Sequence, residues 1–225
     1  RYALISRISG DWEDYGTHSA STQSFDGGYI IAKRSDMTSF GDYIVGKTTT
    51  DVYTQPPITN ELNNDGTYLK LADSELCYVI GAAAALNNDN SAVLTIGNSG
   101  LMQVEGDILN DNSSTIETNG NINLLGDWTN NATASLANSG GDPGMVTFSG
   151  TSQQTVSGTA VTEFENLTIN NASNVSLSTD AQVDSILDFD AGLIITGSQK
   201  IVVTNTSVSA ITGFDEDEYI AGTLR

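Results

Sequence analysis

Between residues 91 and 225, apolar and polar residues alternate in short runs separated by Gly, Asn, Asp and Ser. Each run is rich in Val, Ile, Leu or Thr, and small polar turns such as Asn-Ser-Gly or Asp-Ala-Gly come just before the runs. A period of two residues is typical of a half-buried strand, and no helical period accompanies it. This part of the chain is therefore predicted to consist of short β-strands joined by polar turns.

One line of sequence occurs twice in this region. Residues 99–111 read SGLMQVEGDILND, and residues 119–131 read NGNINLLGDWTNN. The equivalent positions are Gly100 and Gly120, Met102 and Ile122, Val104 and Leu124, Asp107 and Asp127, Ile108 and Trp128, and Asn110 and Asn130. Self-similarity at roughly 20–25 residues indicates a solenoid, and the strand period makes it a β-solenoid. We predict an all-β fold, a right-handed parallel β-helix whose successive rungs stack the aliphatic side chains into one column.

Residues 1–90 are less regular than the rest. Four runs are predicted as strands, namely YALISRISGDW, GGYIIAKR, GDYIVGKT and TYLKLADSELCYVIG. Residues 53–66 are predicted as a loop, because Pro56-Pro57 excludes a central strand there. We therefore expect residues 1–90 to form an irregular N-terminal cap that grades into the coil, or a small separate β module, and residues 91–225 to form the coil itself.

The charge of the chain excludes several classes of partner. Eight basic residues face 28 acidic ones, which gives a formal net charge of -20. Such a chain repels nucleic acid and anionic membrane surfaces. Between Leu71 and Gln199 there is no Lys, Arg or His, so a β-helix enzyme acting on acidic glycans would lack cations for its substrate. Action on neutral sugars stays open.

Other sequence features bear on the environment of the protein. Cys77 is the only cysteine, so no internal disulfide is possible, and we expect it to be a small buried hydrophobe. No run approaches the ~20 apolar residues of a membrane span. No signal peptide is visible, and a start at Arg1 would suit a processed mature chain. Six Asn-X-Ser/Thr sequences match the N-glycan acceptor pattern, which matters only in a eukaryotic secreted protein.

Two pairs of carboxylates are candidates for chemistry. Asp107 and Asp127 would stack one rung apart, where a cation such as Ca²⁺ could bridge them with oxygens from neighbours, or where each could accept backbone N–H groups at a Gly-Asp corner. Those neighbours are Asn110, Asp111, Asn130 and Asn131. Asp188 and Asp190 share one face of a predicted strand, as the acid and base of a glycosidase would, or as part of a solvated outer face. We expect Asp107 and Asp127 to accept backbone N–H groups at their corners, and Asp188 and Asp190 to lie on a solvated outer face.

The remaining candidates favour structural roles. The acidic run Asp215–Glu218 is predicted as a solvated loop, with a calcium-dependent junction as the alternative. Trp128 replaces Ile108 in the repeat and is expected in the core, although Trp12 and Trp128 could also stack on sugars. His18, the only histidine, has no partner for a triad. No residue is assigned as catalytic, cofactor-binding or metal-binding, no cofactor is predicted, and Ca²⁺ stays an open alternative.

Residues 93–225 resemble a repeat pattern found in secreted and cell-surface proteins of the Bacteroidota, often cargo of the type IX secretion system. The matching segments are GDWTNN, GMVTFSGTSQQTVSG, FENLTINNASNVSLS, LDFDAGLIITG and YIAGTLR, and SGDWED near the start resembles the opening of those proteins. In that family the piece resembling YIAGTLR runs on into a further β domain, so the chain looks like a segment of a longer polypeptide. The resemblance implies an extracellular β-helix and no particular activity.

Together these features predict an extracellular or cell-surface structural or interaction protein rather than an enzyme: a β-helix stalk, an adhesin segment or a filament subunit. Expected partners are other copies stacked head to tail, neighbouring β domains or a surface glycan. Two alternatives stay open, an enzyme on neutral polysaccharide using Asp188 and Asp190 or Asp107 and Asp127, and a non-catalytic binder of glycan or ice. Ice binding is less favoured, because the threonines are scattered from rung to rung.

Overall fold

The computed structural model describes residues 58–131 and 143–225 in full, apart from the side chains of residues 59, 82 and 83. Among residues 1–57 it describes the backbone of short strands only. Two compact units divide the chain, residues 1–55 and residues 56–225. None of the described residues belongs to a helix of the length and apolarity needed to cross a membrane.

The first unit contains antiparallel strand pairs. Strand β1 pairs with β2 and β7, β3 pairs with β6, and β4 pairs with β5. Their bounds are β1 Tyr2–Arg7, β2 Trp12–Glu13, β3 Thr17–His18, β4 Ser24–Asp26, β5 Tyr29–Ile31, β6 Arg34–Ser35 and β7 Asp42–Lys47. Strands β1, β5 and β7 fall within three of the runs that the sequence predicted as strands.

The second unit is a parallel β-solenoid. Its strands are β8 Ile58–Asp65, β9 Tyr68–Leu71, β10 Leu76–Asp89, β11 Val93–Ile96, β12 Leu101–Val104, β13 Asp107–Asn110, β14 Thr115–Thr118, β15 Asn121–Leu124, β16 Trp128–Asn130, β17 Met145–Phe148, β18 Gln154–Gly158, β19 Thr162–Asn170, β20 Val175–Leu177, β21 Ala181–Ala191, β22 Ile194–Val203, β23 Ile211–Thr212 and β24 Ile220–Leu224. All described pairings between them are parallel, and the chain makes about seven turns. The predicted all-β solenoid is thus confirmed, while its right-handedness stays a prediction.

Each turn contributes strand segments to successive faces of the coil. Face 1 contains the first half of β10, then β12, β15, β17, the second half of β19, the second half of β21, and β23. Face 2 contains the second halves of β8 and β10, then β13, β16, β18, β20 and the starts of β22 and β24. The third segment of a turn is β9, β11 or β14 near the start, and 162–164, 181–183 or 201–203 near the end.

The register matches the alignment of the repeated line. Met102 pairs with Ile122 and Val104 with Leu124 on face 1, and Ile108 pairs with Trp128 on face 2. All of these side chains are at most 1% exposed. Inward positions of successive rungs therefore stack into one aliphatic column, as predicted, because the burial alternates with a period of two along each strand.

Large aromatic residues fill the middle of this column. Trp128 meets Phe164 with ring centroids 5.6 Å apart at 64°, and Phe148 meets Phe164 at 6.2 Å and 81°. Both are edge-to-face contacts, which the charge distribution of aromatic rings favours. The core position predicted for Trp128 is confirmed, because only 1% of its surface is exposed.

The coil begins earlier than the sequence indicated. Residues 58–65, predicted as part of a loop, form β8, which pairs in parallel with β10 over Glu61 to Asp65. The prediction of a loop after Pro57 was therefore wrong for these residues, because hydrogen bonds to the next rung outweigh their poor strand propensity. Residues 56–89 lie in the same unit as the later rungs, so the division found in the structure falls after residue 55 rather than after residue 90.

Glycines at the corners allow rungs to approach closely. A Cβ on Gly106 would lie 1.5 Å from the carbonyl oxygen of Ala84, and one on Gly126 would lie 2.3 Å from the backbone of Gly106. No side chain fits at such distances, so the Gly-Asp pairs of the repeat mark corners where backbone stacks directly on backbone.

Candidate functional site

Four asparagines form a buried ladder along one corner of the coil. They are Asn64, Asn88, Asn110 and Asn130, each at most 3% exposed and each paired with the next by strand register. The Nδ2 atom of each donates to the Oδ1 atom of the next, at 2.7, 2.8 and 3.2 Å. Buried polar groups must be hydrogen-bonded to be tolerated, and this ladder satisfies its members from rung to rung.

The ladder also bonds to the backbone beyond the corner. Asn88 Nδ2 donates to the carbonyl oxygen of Thr115 at 2.9 Å, and Asn110 Nδ2 donates to that of Ser114 at 3.1 Å. At the next rung Gly158 takes the equivalent position, and a Cβ there would lie 2.0 Å from the carbonyl oxygen of Asn130. The ladder therefore ends at Asn130 and serves as internal support rather than as a ligand site.

Asp107 and Asp127 use their carboxylates to cap the rung above. Asp107 Oδ1 accepts the backbone N–H of Asp127 at 2.8 Å, and Asp127 Oδ1 accepts that of Thr155 at 2.8 Å. This is the corner arrangement that the sequence predicted. Each carboxylate has a backbone partner, and no cation is needed to hold the two together.

Asp188 and Asp190 lie on the outer side of β21, on either side of the buried Phe189. Asp188 accepts a hydrogen bond from the Oγ1 atom of Thr212 at 2.5 Å, and Asp190 is exposed. The prediction that the two carboxylates share a solvated outer face is confirmed. They stand on the outer side of β21, whose register with β19 shifts between Phe189 and Ala191, and no described groove brings a substrate bond between them.

The acidic run Asp215–Glu218 is an exposed turn. Asp215 Oδ1 accepts the backbone N–H groups of Asp217 at 2.7 Å and of Glu218 at 3.1 Å. A side-chain hydrogen bond with Glu218 lowers the pKa of Asp215 and raises that of Glu218. Residues 215–217 are exposed, so the prediction of a solvated loop is confirmed.

Cys77 and the remaining candidates do not form a reactive centre. Cys77 lies on the inner side of β10 next to Met102, and burial raises the pKa of its thiol to about 11, so it stays protonated and unreactive. Trp12 and His18 lie on short strands whose side chains are outside the described residues. Among the side chains of residues 58–131 and 143–225, no three His, Cys, Asp or Glu residues approach closely enough to hold a metal ion.

A shallow depression lies at the corner between faces 1 and 2. Its lining residues are Gly81, Glu105, Gly106, Leu125, Thr151 and Ser152. The only ionisable group in this lining is Glu105, whose Oε2 atom accepts the N–H of Gly81 at 2.9 Å. A carboxylate already bonded to the backbone, with no second acid or base in the lining, does not make a hydrolytic site.

Face 1 presents a strip of outward side chains without charge. One column of paired residues runs Leu76, Leu101, Asn121, Met145, Asn166 and Ile186, and a second runs Tyr78, Gln103, Asn123, Thr147 and Thr168. We call these eleven residues the uncharged strip. Leu76 and Ile186, at its two ends, are 43% and 41% exposed. On the sixth strand the second column continues to Asp188, which pairs with Thr168, so the two columns are free of charge over five strands.

The C-terminal end of the coil is a second apolar surface. Ile211, Ile220 and Leu224 occupy inward positions of the last rung, paired with buried Leu187, Ile194 and Ile201. Leu224 is nevertheless 46% exposed. Of the seven large hydrophobic residues that are exposed among the described side chains, four lie in the last rung: Val208, Phe214, Tyr219 and Leu224.

Lys200 makes the one ion pair found among the described side chains, with Asp180 of the rung below. Asp180 also accepts the backbone N–H of Lys200 at 3.0 Å. The side-chain hydrogen bond from Lys200 lowers the pKa of Asp180. This pair ties the last rungs together at a corner.

The asparagine ladder and the uncharged strip were not predicted from the sequence. The ladder has a readable signal, because Asn64, Asn88 and Asn110 are each followed by Asp at intervals of 24 and 22 residues. The strip has no comparable signal in the sequence of a single rung, because it depends on the register between strands. Comparisons of the chain with protein-family models, with curated proteins and with solved structures found no match.

Proposed function

We propose that this chain is a non-catalytic structural or interaction module, a stiff β-solenoid segment of an extracellular or cell-surface protein. The observation that supports it best is the continuous stack of about seven rungs, with a buried aliphatic column and a buried asparagine ladder. At ~4.8 Å per rung this stack is about 34 Å long. Inter-rung hydrogen bonds run along its whole length, which makes such a stack resist bending and stretching.

The placement of the carboxylates favours this role over catalysis. Those of Asp107 and Asp127 are engaged with backbone N–H groups, and those of Asp188 and Asp190 stand on the outer side of a strand. A glycosidase needs two carboxyls facing one bond across a groove. The extracellular setting rests on the resemblance of residues 93–225 to secreted repeat proteins, and the net charge of -20 suits a soluble surface segment.

The apolar end of the coil indicates how the segment connects. Strands β23 and β24 lie at the two ends of the described strand order, so no strand within the described residues pairs with their outer backbone groups. Unpaired edges beside exposed apolar side chains form a template for another β layer. We propose that further β structure, in a neighbouring domain or in another copy, stacks on this end.

Negative-stain electron microscopy of the purified protein at high concentration, with calcium and with chelator, tests end stacking. We expect end-to-end assemblies in both conditions, which Leu224→Asp abolishes. Val161→Asp is the matched control, because Val161 is 47% exposed and lies on a corner away from the last rung. Single particles at all concentrations would refute stacking between copies. Release of reducing sugar from any neutral polysaccharide would refute the non-catalytic role.

A further inference from the structure

We propose that the core of the coil binds one internal water molecule, which bridges the indole Nε1 atom of Trp128 and the hydroxyl Oγ1 atom of Thr162. Each of these side chains is 1% exposed. Neither of the two atoms has a hydrogen-bond partner among the residues that the structure describes. The inference concerns the interior of the coil, so it goes beyond the proposed function and does not depend on it.

Two contacts place Trp128 and Thr162 in the same angle of the core. The ring of Trp128 packs on that of Phe164, with centroids 5.6 Å apart, and Phe164 follows Thr162 by two residues on the inner side of β19. Asn130 follows Trp128 by two residues on the inner side of β16. Its Nδ2 atom donates to the carbonyl oxygen of Val161 at 3.2 Å. The two segments are therefore joined one residue before Thr162 and two residues after it.

The chemistry of the two atoms fits a water molecule. An indole N–H only donates a hydrogen bond, whereas a hydroxyl can accept one. They do not bond to each other, but a water at ~2.9 Å from each can join atoms up to about 5.5 Å apart. It accepts from Nε1 of Trp128 and donates one hydrogen to Oγ1 of Thr162. Its second hydrogen is left for a carbonyl oxygen of the corner, such as that of Val161, which has a second lone pair.

The surroundings of the site exclude a charged occupant. The buried polar residues among the described side chains are Asn, Gln, Ser and Thr, and none of them carries a charge. An ion placed between Trp128 and Thr162 would lack a counter-charge and would be strongly disfavoured. A neutral ligand with both a donor and an acceptor is required.

The size of the inward side chains gives room for this ligand. Earlier third segments of the turns place Leu94 and Ile116 inward. The later segments instead place Thr162 and, paired with it on the next rung, Ala181. These two side chains are smaller, and the flat ring of Trp128 does not fill the rounded space of the missing methyl groups. The water occupies the edge of the ring, where Nε1 lies.

A dry site would leave two unsatisfied groups in the core. Nearly all buried polar groups of native proteins are hydrogen-bonded, to protein or to ordered water, because burial without a partner is unfavourable. Buried waters typically make about three hydrogen bonds to groups of this kind. One water satisfies both Trp128 and Thr162, and it links β16 to β19 at the rung where aromatic rings replace aliphatic side chains.

Nuclear magnetic resonance of the ¹⁵N-labelled whole chain tests the proposal. Trp12→Phe shows which of the two indole signals belongs to Trp128. We expect cross-peaks between that N–H and water, with the relative sign in laboratory-frame and rotating-frame spectra that a long-lived bound water gives and hydrogen exchange does not. Thr162→Val should abolish them, whereas Thr162→Ser, which keeps the hydroxyl, should retain them. Thr95→Val is the matched control, because it makes the same change at a threonine that is 7% exposed and bonds to Glu117.

Stability gives an independent answer through its sign. In a dry core, Thr162→Val would remove an unsatisfied hydroxyl and would raise the urea midpoint. With water bound, the same substitution removes one of the partners of the water, and we expect the midpoint to fall. Trp128→Phe and Thr162→Val should then be coupled, so that the double variant loses less than the sum of the two single losses.

Four results would overturn the proposal. They are the absence of a water cross-peak at the indole N–H of Trp128, a cross-peak that Thr162→Val leaves unchanged, a urea midpoint that Thr162→Val raises, and strictly additive losses in the double variant. Far-UV circular dichroism of every variant shows whether it folds. Thr162→Ser keeps the test decisive if the valine variant does not.

Discussion

Replacement of Asn88 by alanine should destabilise the coil far more than replacement of its neighbour Asn87. Asn88 is fully buried, whereas Asn87 points outward from the same strand and donates one exposed hydrogen bond, to Asn63 at 2.8 Å. The two substitutions remove the same atoms from adjacent positions of β10. Any difference in the free energy of unfolding therefore measures the buried ladder rather than strand propensity.

The size of the effect follows from the partners that Asn88 leaves behind. Its Nδ2 atom donates to Oδ1 of Asn110 at 2.8 Å and to the carbonyl oxygen of Thr115 at 2.9 Å. Asn64, which donates to Asn88 at 2.7 Å, keeps a second acceptor in the carbonyl oxygen of Val93 at 3.1 Å. Two acceptors thus lose this donor, at about 1–3 kcal/mol each. We expect Asn88→Ala to lose about 2–6 kcal/mol and Asn87→Ala to stay within about 0.5 kcal/mol of the wild type.

Urea unfolding at pH 7, followed by far-UV circular dichroism and by tryptophan fluorescence, measures both values. The m-values must match for the midpoints to be compared. Equal losses for the two variants would refute the role assigned to the ladder. Asn88→Asp gives a second check: its carboxylate cannot donate at pH 7, so it should be less stable than Asn88→Ala, and the deficit should shrink as acid protonates the carboxyl.

Three further predictions concern the core and the corners. Trp128→Ala should lose about 3–5 kcal/mol in urea unfolding because it removes the ring packed on Phe164, whereas Trp128→Phe should lose less than half as much, since the Nε1 atom of Trp128 has no hydrogen-bond partner among the described residues. Because Lys200 lowers the pKa of Asp180, the stability from their ion pair is present at neutral pH and is lost as the pH falls below about 4. Asp180→Asn should therefore cost at most about 1 kcal/mol at pH 7 and nothing at low pH, and a deficit that persists in acid would contradict this. Cys77 should react with iodoacetamide at pH 8 at least tenfold more slowly in the native protein than in urea, because burial raises its pKa to about 11, and equal rates would show that the thiol is not buried.

The sequence predicted the stacking of rungs well because the signal is local and repeated. Gly100 and Gly120 bracket a period of 20 residues, and the apolar positions between them alternate as strands require. The corner role of Asp107 and Asp127 followed from the same alignment, since a Gly-Asp pair repeated at one rung spacing points to a backbone cap. Predictions of this kind need only the chain's own periodicity.

The features that could not be predicted depend on contacts between residues of different rungs, which become neighbours only through strand pairing. Residues 58–65 have a polar composition and follow Pro56-Pro57. They form a strand because they pair in parallel with β10. The uncharged strip likewise arises from residues of different types, such as Leu101, Asn121 and Met145, that meet only when rungs of unequal length are stacked. Rung lengths vary from 19 to 28 residues, so a search at one fixed period does not reveal such columns.

In a parallel solenoid equivalent residues of successive rungs stack on each other, so in an acidic chain stacked carboxylates repel one another. Asp65, Asp89 and Asp111 hold equivalent positions on three successive rungs, about 4.8 Å apart. Amide donors lie between them: the Nδ2 atom of Asn90 donates to Asp65 at 2.5 Å, and that of Asn112 donates to Asp89 at 2.7 Å. Each carboxylate of this pair is thus bonded by the turn of the following rung, which offsets the repulsion between neighbours. The abundance of asparagine after the strands therefore has two physical causes, the buried ladder inside the corner and the donors that separate the acids outside it.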